Sequence, residues 1–151
     1  MNGLTTDRLS LACRIFLEEA YPAGPETVPP NRRPFLAIPP DQPLAPWLAV
    51  RGGCEALSGP GGSLRGYAFR LGSAHFPHLK LQVTGHDNGR ACVFTVDTHD
   101  AMRVALTGAE AEAWAKLQAT NRVLKGRIEH RWEEHGLLTF NELLRRGLAK
   151  R

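Results

Sequence analysis

Four of the six histidines, His75, His78, His86 and His99, fall between positions 75 and 99, and Asp97 and Asp100 bracket the last of them. Imidazole and carboxylate in one neighbourhood suit two chemistries. As metal ligands, His75, His78, Asp97, His99 and Asp100 form a mixed nitrogen and oxygen set of the kind that holds zinc, iron or manganese. A divalent transition metal there would make the chain a metal-dependent hydrolase. The HxxH spacing of His75 and His78 spans Pro77, so it belongs to a loop and differs from the helical HExxH of zinc proteases. As an anion site, Arg70, His78, Lys80 and His99 would hold a phosphate or carboxylate while Asp97 orients a cation. A His–Asp pair can also act as a general base, but no serine or cysteine nucleophile is placed near His99. The plainest alternative is a solvated face carrying a Lys80–Asp97 cross-strand pair worth roughly 0.2–1 kcal/mol.

Strands must bring these residues together. YAFRL (67–71), LKLQVTG (79–85) and ACVFTVDTH (91–99) alternate and are rich in β-formers. Between the last two lies Asp87-Asn88-Gly89-Arg90, and Asn-Gly is the strongest short hairpin signal because a type I′ turn needs positive φ at both central residues. A two-residue turn there pairs positions whose numbers sum to 177. Leu81 then faces Val96, Val83 faces Phe94 and Leu79 faces Thr98, with Tyr67, Phe69 and Leu71 extending that apolar side. Lys80 faces Asp97, Gln82 faces Thr95 and His78 faces His99 on the polar side, which Arg70 joins. Cys92 falls on the apolar side as a buried thiol. The segment 67–99 is thus expected to be a three-stranded antiparallel meander.

Helices flank it. Leu9, Cys13, Phe16 and Ala20 recur at helical spacing, predicting a helix over 7–20 that Thr5 or Thr6 caps and Pro22 ends. A longer helix is expected over 108–135. Thr107 and Glu110 form a capping box at its start, Trp114, Leu117, Leu124, Ile128 and Trp132 line one face, and Gly136 stops it. Asn121 interrupts that stripe. A second box, Thr139 with Glu142, and a Leu138–Leu143 staple open a short helix over 140–149.

Nine of the 11 prolines lie between Pro22 and Pro46, yet this stretch and its edge also hold Phe35, Leu36, Ile38, Trp47 and Leu48. Large apolar residues in a proline-rich segment predict an extended strap packed on the rest of the protein, although Pro40-x-x-Pro43 and Pro43-x-x-Pro46 also match the spacing of polyproline ligands. Six glycines between positions 52 and 66 read as a mobile connection. They are not a phosphate loop, because no Lys-Ser or Lys-Thr follows.

The chain of 151 residues carries 19 basic and 15 acidic side chains, a net charge of +4. The excess comes from the C-terminal third, with 10 basic and 6 acidic residues in 101–151. Arg122, Lys125, Arg127 and Arg131 make a basic stretch that Glu129, Glu133 and Glu134 dilute, so nucleic acid is a weakly supported partner. Three cysteines with no CxxC spacing argue against a disulfide framework and for a reducing, cytoplasmic setting. Asp7, Arg8 and Arg14 interrupt any signal-peptide core, and no apolar run reaches the ~20 residues of a membrane span.

Two resemblances bear on these readings. The order helix, three strands, helix resembles the double-stranded-RNA-binding domain in topology, which implies RNA as a ligand. That family places a lysine cluster at the start of its last helix, where this chain has GAEAEAWAKLQ with Lys116 alone. The order N-terminal helix, Trp47, Gly59-Pro60, Gly66-Tyr67-Ala68-Phe69, Phe76-Pro77, His86-Asp87-Asn88-Gly89 and Cys92 resembles ubiquitin-conjugating enzymes, which implies a thioester-forming Cys92. That family has a His-Pro-Asn element farther upstream of its cysteine, whereas here Asp87 follows His86 and Cys92 comes six positions after it.

The whole predicts one α+β domain over 1–151: a three-stranded antiparallel meander on a long helix, with an N-terminal helix, a proline-rich strap over 22–46 and a short final helix. The preferred function is a small soluble binding or accessory module. It would recognise an anionic ligand or protein partner through Arg70, His78, Lys80, Asp97 and His99, without a cofactor and away from membranes.

Overall fold

The structure, a computed structural model, describes residues 6–43, 47, 54–59, 61, 64–73, 79–86, 91–97 and 108–147. The first helix, α1, runs Thr6–Ala20 and buries Leu9, Cys13, Phe16 and Ala20 together with Ala12, Ile15 and Leu17. Thr6 is its first helical residue, and its hydroxyl turns to the strap instead of capping the helix. It donates to the carbonyl of Pro39 and accepts from Gln42 N at 3.3 Å. Asp7 Oδ1 accepts from Asp41 N at 3.0 Å, so the start of α1 and the end of the strap hold each other. Thr5 lies outside the described residues.

The strap packs as expected but is not extended. It folds into two 3₁₀ turns, Pro25–Thr27 and Arg33–Leu36, each with a proline in its first two positions, where fixed φ pre-sets the turn and the missing N–H costs nothing. Val28, Phe35 and Ile38 are buried, as is Trp47. Phe35 is the hub, edge-on to Trp47 at 6.2 Å and to Phe69 at 5.4 Å.

Among the described residues four strands, not three, form an antiparallel sheet in sequence order: β1 Cys54–Ser58, β2 Leu64–Phe69, β3 Lys80–His86 and β4 Ala91–Asp97. The added strand lies in the segment read as a mobile glycine-rich connection. The β3–β4 register is the predicted one, with Leu81 opposite Val96, Val83 opposite Phe94 and Lys80 opposite Asp97. Residues 87–90, from which that register was expected, lie outside the described residues. Gly66 lets β2 lie close to β3, since a Cβ there would collide with the carbonyl of Val83.

One face of the sheet carries Phe69, Leu81 and Val96 in one row and Tyr67, Val83 and Phe94 in the next. It packs into a continuous buried cluster with α1, the strap and the long helix α2, Ala109–Glu134. The N-cap of α2 is Gly108, with no side-chain cap bond, in place of the expected Thr107, which lies outside the described residues. Its C-terminus is a Schellman stop. Gly136 has φ +81°, Leu137 N donates to Trp132 O at 2.9 Å and Gly136 N to Glu133 O at 3.0 Å. Leu124, Ile128 and Trp132 are buried, whereas Trp114 and Leu117 are only half-buried. A helix of 26 residues spans about 39 Å and a seven-residue strand about 23 Å, so the first turns of α2 outrun the sheet.

Contacts with α1 and β4 fix α2 in place. Trp132 Nε1 donates to Ala12 O at 3.1 Å while its ring meets Phe94 edge-on at 6.0 Å. Arg127 and Arg131 reach the carboxylates of Glu18 and Glu19 at 2.9–3.1 Å. Beyond Gly136 the chain returns along β4, where Phe94 N donates to Leu138 O at 2.9 Å. The last helix, α3, covers Phe140–Arg145, shorter than the expected 140–149. Thr139 caps it by accepting from Glu142 N at 3.1 Å. The reciprocal half of the box is replaced, because the Glu142 carboxylate takes Arg145 and Arg146.

Candidate functional site

Alternation along the strands puts a second set of residues on the outer face. Glu55, Ala68, Gln82 and Thr95 lie in one row, Thr84 and Val93 in the next, and Lys80 with Asp97 in a third. The charged residues of this face also involve a strand that was not expected. Lys80, directly opposite Asp97, places its ammonium 3.7 Å from Glu55 Oε2 on β1, a strand the sequence reading lacked. Asp97 Oδ2 accepts from Gln82 Nε2 at 3.1 Å. Arg70 is exposed just past β2, and its carbonyl accepts from Arg32 Nε at 3.0 Å.

Of the five residues expected to bind an anion, Arg70, Lys80 and Asp97 are described, while His78 and His99 lie outside the described residues. The metal set has the same division, with Asp97 described and His75, His78, His99 and Asp100 outside. Among the described residues no group of three or more His, Cys, Asp and Glu side chains converges to hold a metal.

A groove missed by the sequence reading forms where α3 folds over this face. Arg65, Gln82, Thr84, Gly85, Val93, Thr95, Phe140 and Leu143 line about 480 Å³. Val93 is 2% exposed and Leu143 5%, so the sheet and α3 contribute apolar packing that neither would bury alone. Gln82, Thr84 and Thr95 give the groove neutral donors and acceptors. Arg65 is exposed and forms no ion pair with any described residue. The register placed Gln82 and Thr95 together, but the return of α3 onto the sheet depends on the Gly136 stop and the bond from Phe94, and periodicity does not encode such a tertiary turn.

The cysteines are inward. Cys92, opposite Gly85 on β4, is 2% exposed, and burial pushes its thiol up to about 11 against the opposing pull of Arg8. Burial also raises Cys13 strongly and takes half-buried Cys54 to about 11. Thiols held so far above neutrality are poor nucleophiles.

Most of the basic C-terminal stretch is internally spent. Arg127 and Arg131 pair with α1, Lys125 lies 3.1 Å from Glu129 Oε1, and Arg145 and Arg146 engage Glu133 and Glu142. No helix among the described residues is long and apolar enough to cross a membrane. Comparison with protein-family models, curated proteins and solved structures finds no match for this chain.

Proposed function

We propose that this protein is a non-catalytic binding module whose outer sheet face, roofed by α3, takes a short segment of a protein partner. The carrying observation is the lining of the 480 Å³ groove, in which Gln82, Thr84 and Thr95 flank an apolar patch of Val93, Phe140 and Leu143. Side-chain amides and hydroxyls can satisfy a peptide backbone that loses water on docking, and the patch takes one apolar side chain as an anchor. Arg65 at the groove favours an acidic residue beside that anchor. Among the described residues, those lining the groove are neutral or cationic and suited to holding a ligand by hydrogen bonds and apolar contact.

A random displayed-peptide selection against the intact protein, followed by titration of the selected peptides, tests this. Selected peptides should pair an acidic with an apolar residue. Thr95→Arg, which fills the groove, and Arg65→Glu, which reverses its charge, should each weaken binding about tenfold or more, a change of about 1.4 kcal/mol. Peptides that bind both variants as well as the parent would refute the assignment to this groove, as would a selection that yields no binder.

A further inference from the structure

A second cleft, sharing no described residue with the groove over the sheet, lies between α1 and the strap. Arg14, Leu17, Glu18 and Tyr21 recur at i, i+3, i+4 and i+7 and so present one helical stripe to it. Val28 and Leu36 of the strap form the facing wall, and the space between measures about 470 Å³. This lies within the range of about 300–1,000 Å³ common for small-molecule pockets. Leu17 and Val28 are 1% and 2% exposed and make an apolar floor. The Tyr21 hydroxyl is held by Gly72 O at 2.9 Å, which fixes its ring as a wall.

The charges around the cleft are unevenly matched. Glu18 Oε1 accepts from Arg131 Nη2 at 2.9 Å. The Glu26 carboxylate lies against Gly24 at the rim, and Arg33 Nη2 donates to the Glu26 backbone carbonyl at 3.0 Å. Arg14 is exposed and forms no ion pair with any described residue. Arg14 thus brings a guanidinium without an ion pair to the edge of the apolar floor.

We propose that this cleft binds a small amphiphilic carboxylate, its hydrocarbon or aryl body against Leu17, Val28 and Leu36 and its carboxylate on Arg14. A guanidinium matches a carboxylate in two parallel hydrogen bonds. A peptide fits less well. Of the three polar side chains in the described lining, Glu18 and Tyr21 are already engaged, so a docked backbone would lose water and gain few partners. An apolar body has no such requirement.

Calorimetric titration of the intact protein with decanoate, kept below its micelle concentration, tests this, with decanol and decyltrimethylammonium as comparison ligands. Saturable one-to-one binding of decanoate is expected, with the ammonium compound at least tenfold weaker. Arg14→Met, at an exposed position, should weaken decanoate about tenfold and leave decanol unchanged. Leu36→Glu should weaken both decanoate and decanol, with circular dichroism confirming that the fold is kept. The proposal is overturned by non-saturable decanoate binding, by equal decanoate affinity in Arg14→Met, or by an ammonium ligand that binds as tightly. Displacement of decanoate by an equimolar leucine-terminated peptide would overturn it in favour of a peptide ligand.

Discussion

Replacing Glu129 with glutamine should stabilise this protein at neutral pH. Glu129 is 2% exposed on α2, and its Oε1 takes both Lys125 Nζ at 3.1 Å and Asn141 Nδ2 at 3.2 Å. Its Oε2 is buried with no hydrogen-bond partner. Lys125 is less committed, being 29% exposed and also donating to Val96 O at 2.6 Å. At an effective dielectric near 20 the Coulomb attraction across this contact is about 5 kcal/mol. The desolvation of a buried ion is of similar size, several kcal/mol. The balance shows in the carboxyl itself, whose pKa is raised above its ordinary 4.5 because burial outweighs the pull of Lys125 and of the Val96 backbone, with Glu133 adding to the rise. A folded-state pKa above the unfolded one gives a stabilising contribution that is complete below pH 4.5 and lost as pH climbs through the raised value. E129Q removes that loss while keeping an acceptor for Asn141 and Lys125. Its stability relative to the parent should therefore rise from pH 4.5 upward, by at most about 1.4 kcal/mol per pH unit, and level off at a gain of about 1 kcal/mol. Urea unfolding of both proteins between pH 4 and 8, followed by far-ultraviolet circular dichroism, measures the difference, in which all other titrations cancel. An E129Q protein 1 kcal/mol less stable than the parent at pH 8, or a difference that does not vary with pH, would refute the reasoning.

Three further outcomes follow from the packing. Trp132→Ala should cost about 3–5 kcal/mol in denaturant unfolding, whereas Trp132→Phe should cost about 1 kcal/mol, since the Ala12 carbonyl keeps its partner within α1 when the indole N–H is lost. Brief alkylation at pH 8 read by mass spectrometry should label Cys54 ahead of Cys92 and Cys13; rapid labelling of Cys92 would return weight to thioester chemistry there. Metal analysis of protein purified without a histidine tag should find no stoichiometric zinc, iron or manganese, and a one-to-one metal would move the function to His75, His78, Asp97, His99 and Asp100.

The elements legible in the sequence are those whose cause is local. The alternation in 79–86 and 91–97 is that of the observed β3–β4 register, and Gly136 gave the end of α2, where a few neighbouring residues determine the geometry. β1 was illegible for the opposite reason. Cys54-Glu55-Ala56-Leu57-Ser58 is short, poor in β-branched residues and set among glycines, and it is a strand because β2 offers it a free edge. The strap was read correctly as packed, from Phe35 and Ile38, but its 3₁₀ turns follow from where each proline falls relative to the core.

The same division governs the candidate site. Sequence alternation identified a polar face but paired its charges within two strands. The third partner, Glu55, sits on the unread strand and takes Lys80, so the face presents less free positive charge than its composition suggests. The long helix repeats the pattern, since Arg127 and Arg131 are consumed in holding α1. What remains for an external ligand is set by what internal pairing leaves over. Among the described cations without an ion pair, Arg65 stands beside a groove with polar side chains and Arg14 beside a cleft with an apolar floor. The cations are alike, and the linings around them separate a peptide segment at one from a small amphiphilic acid at the other.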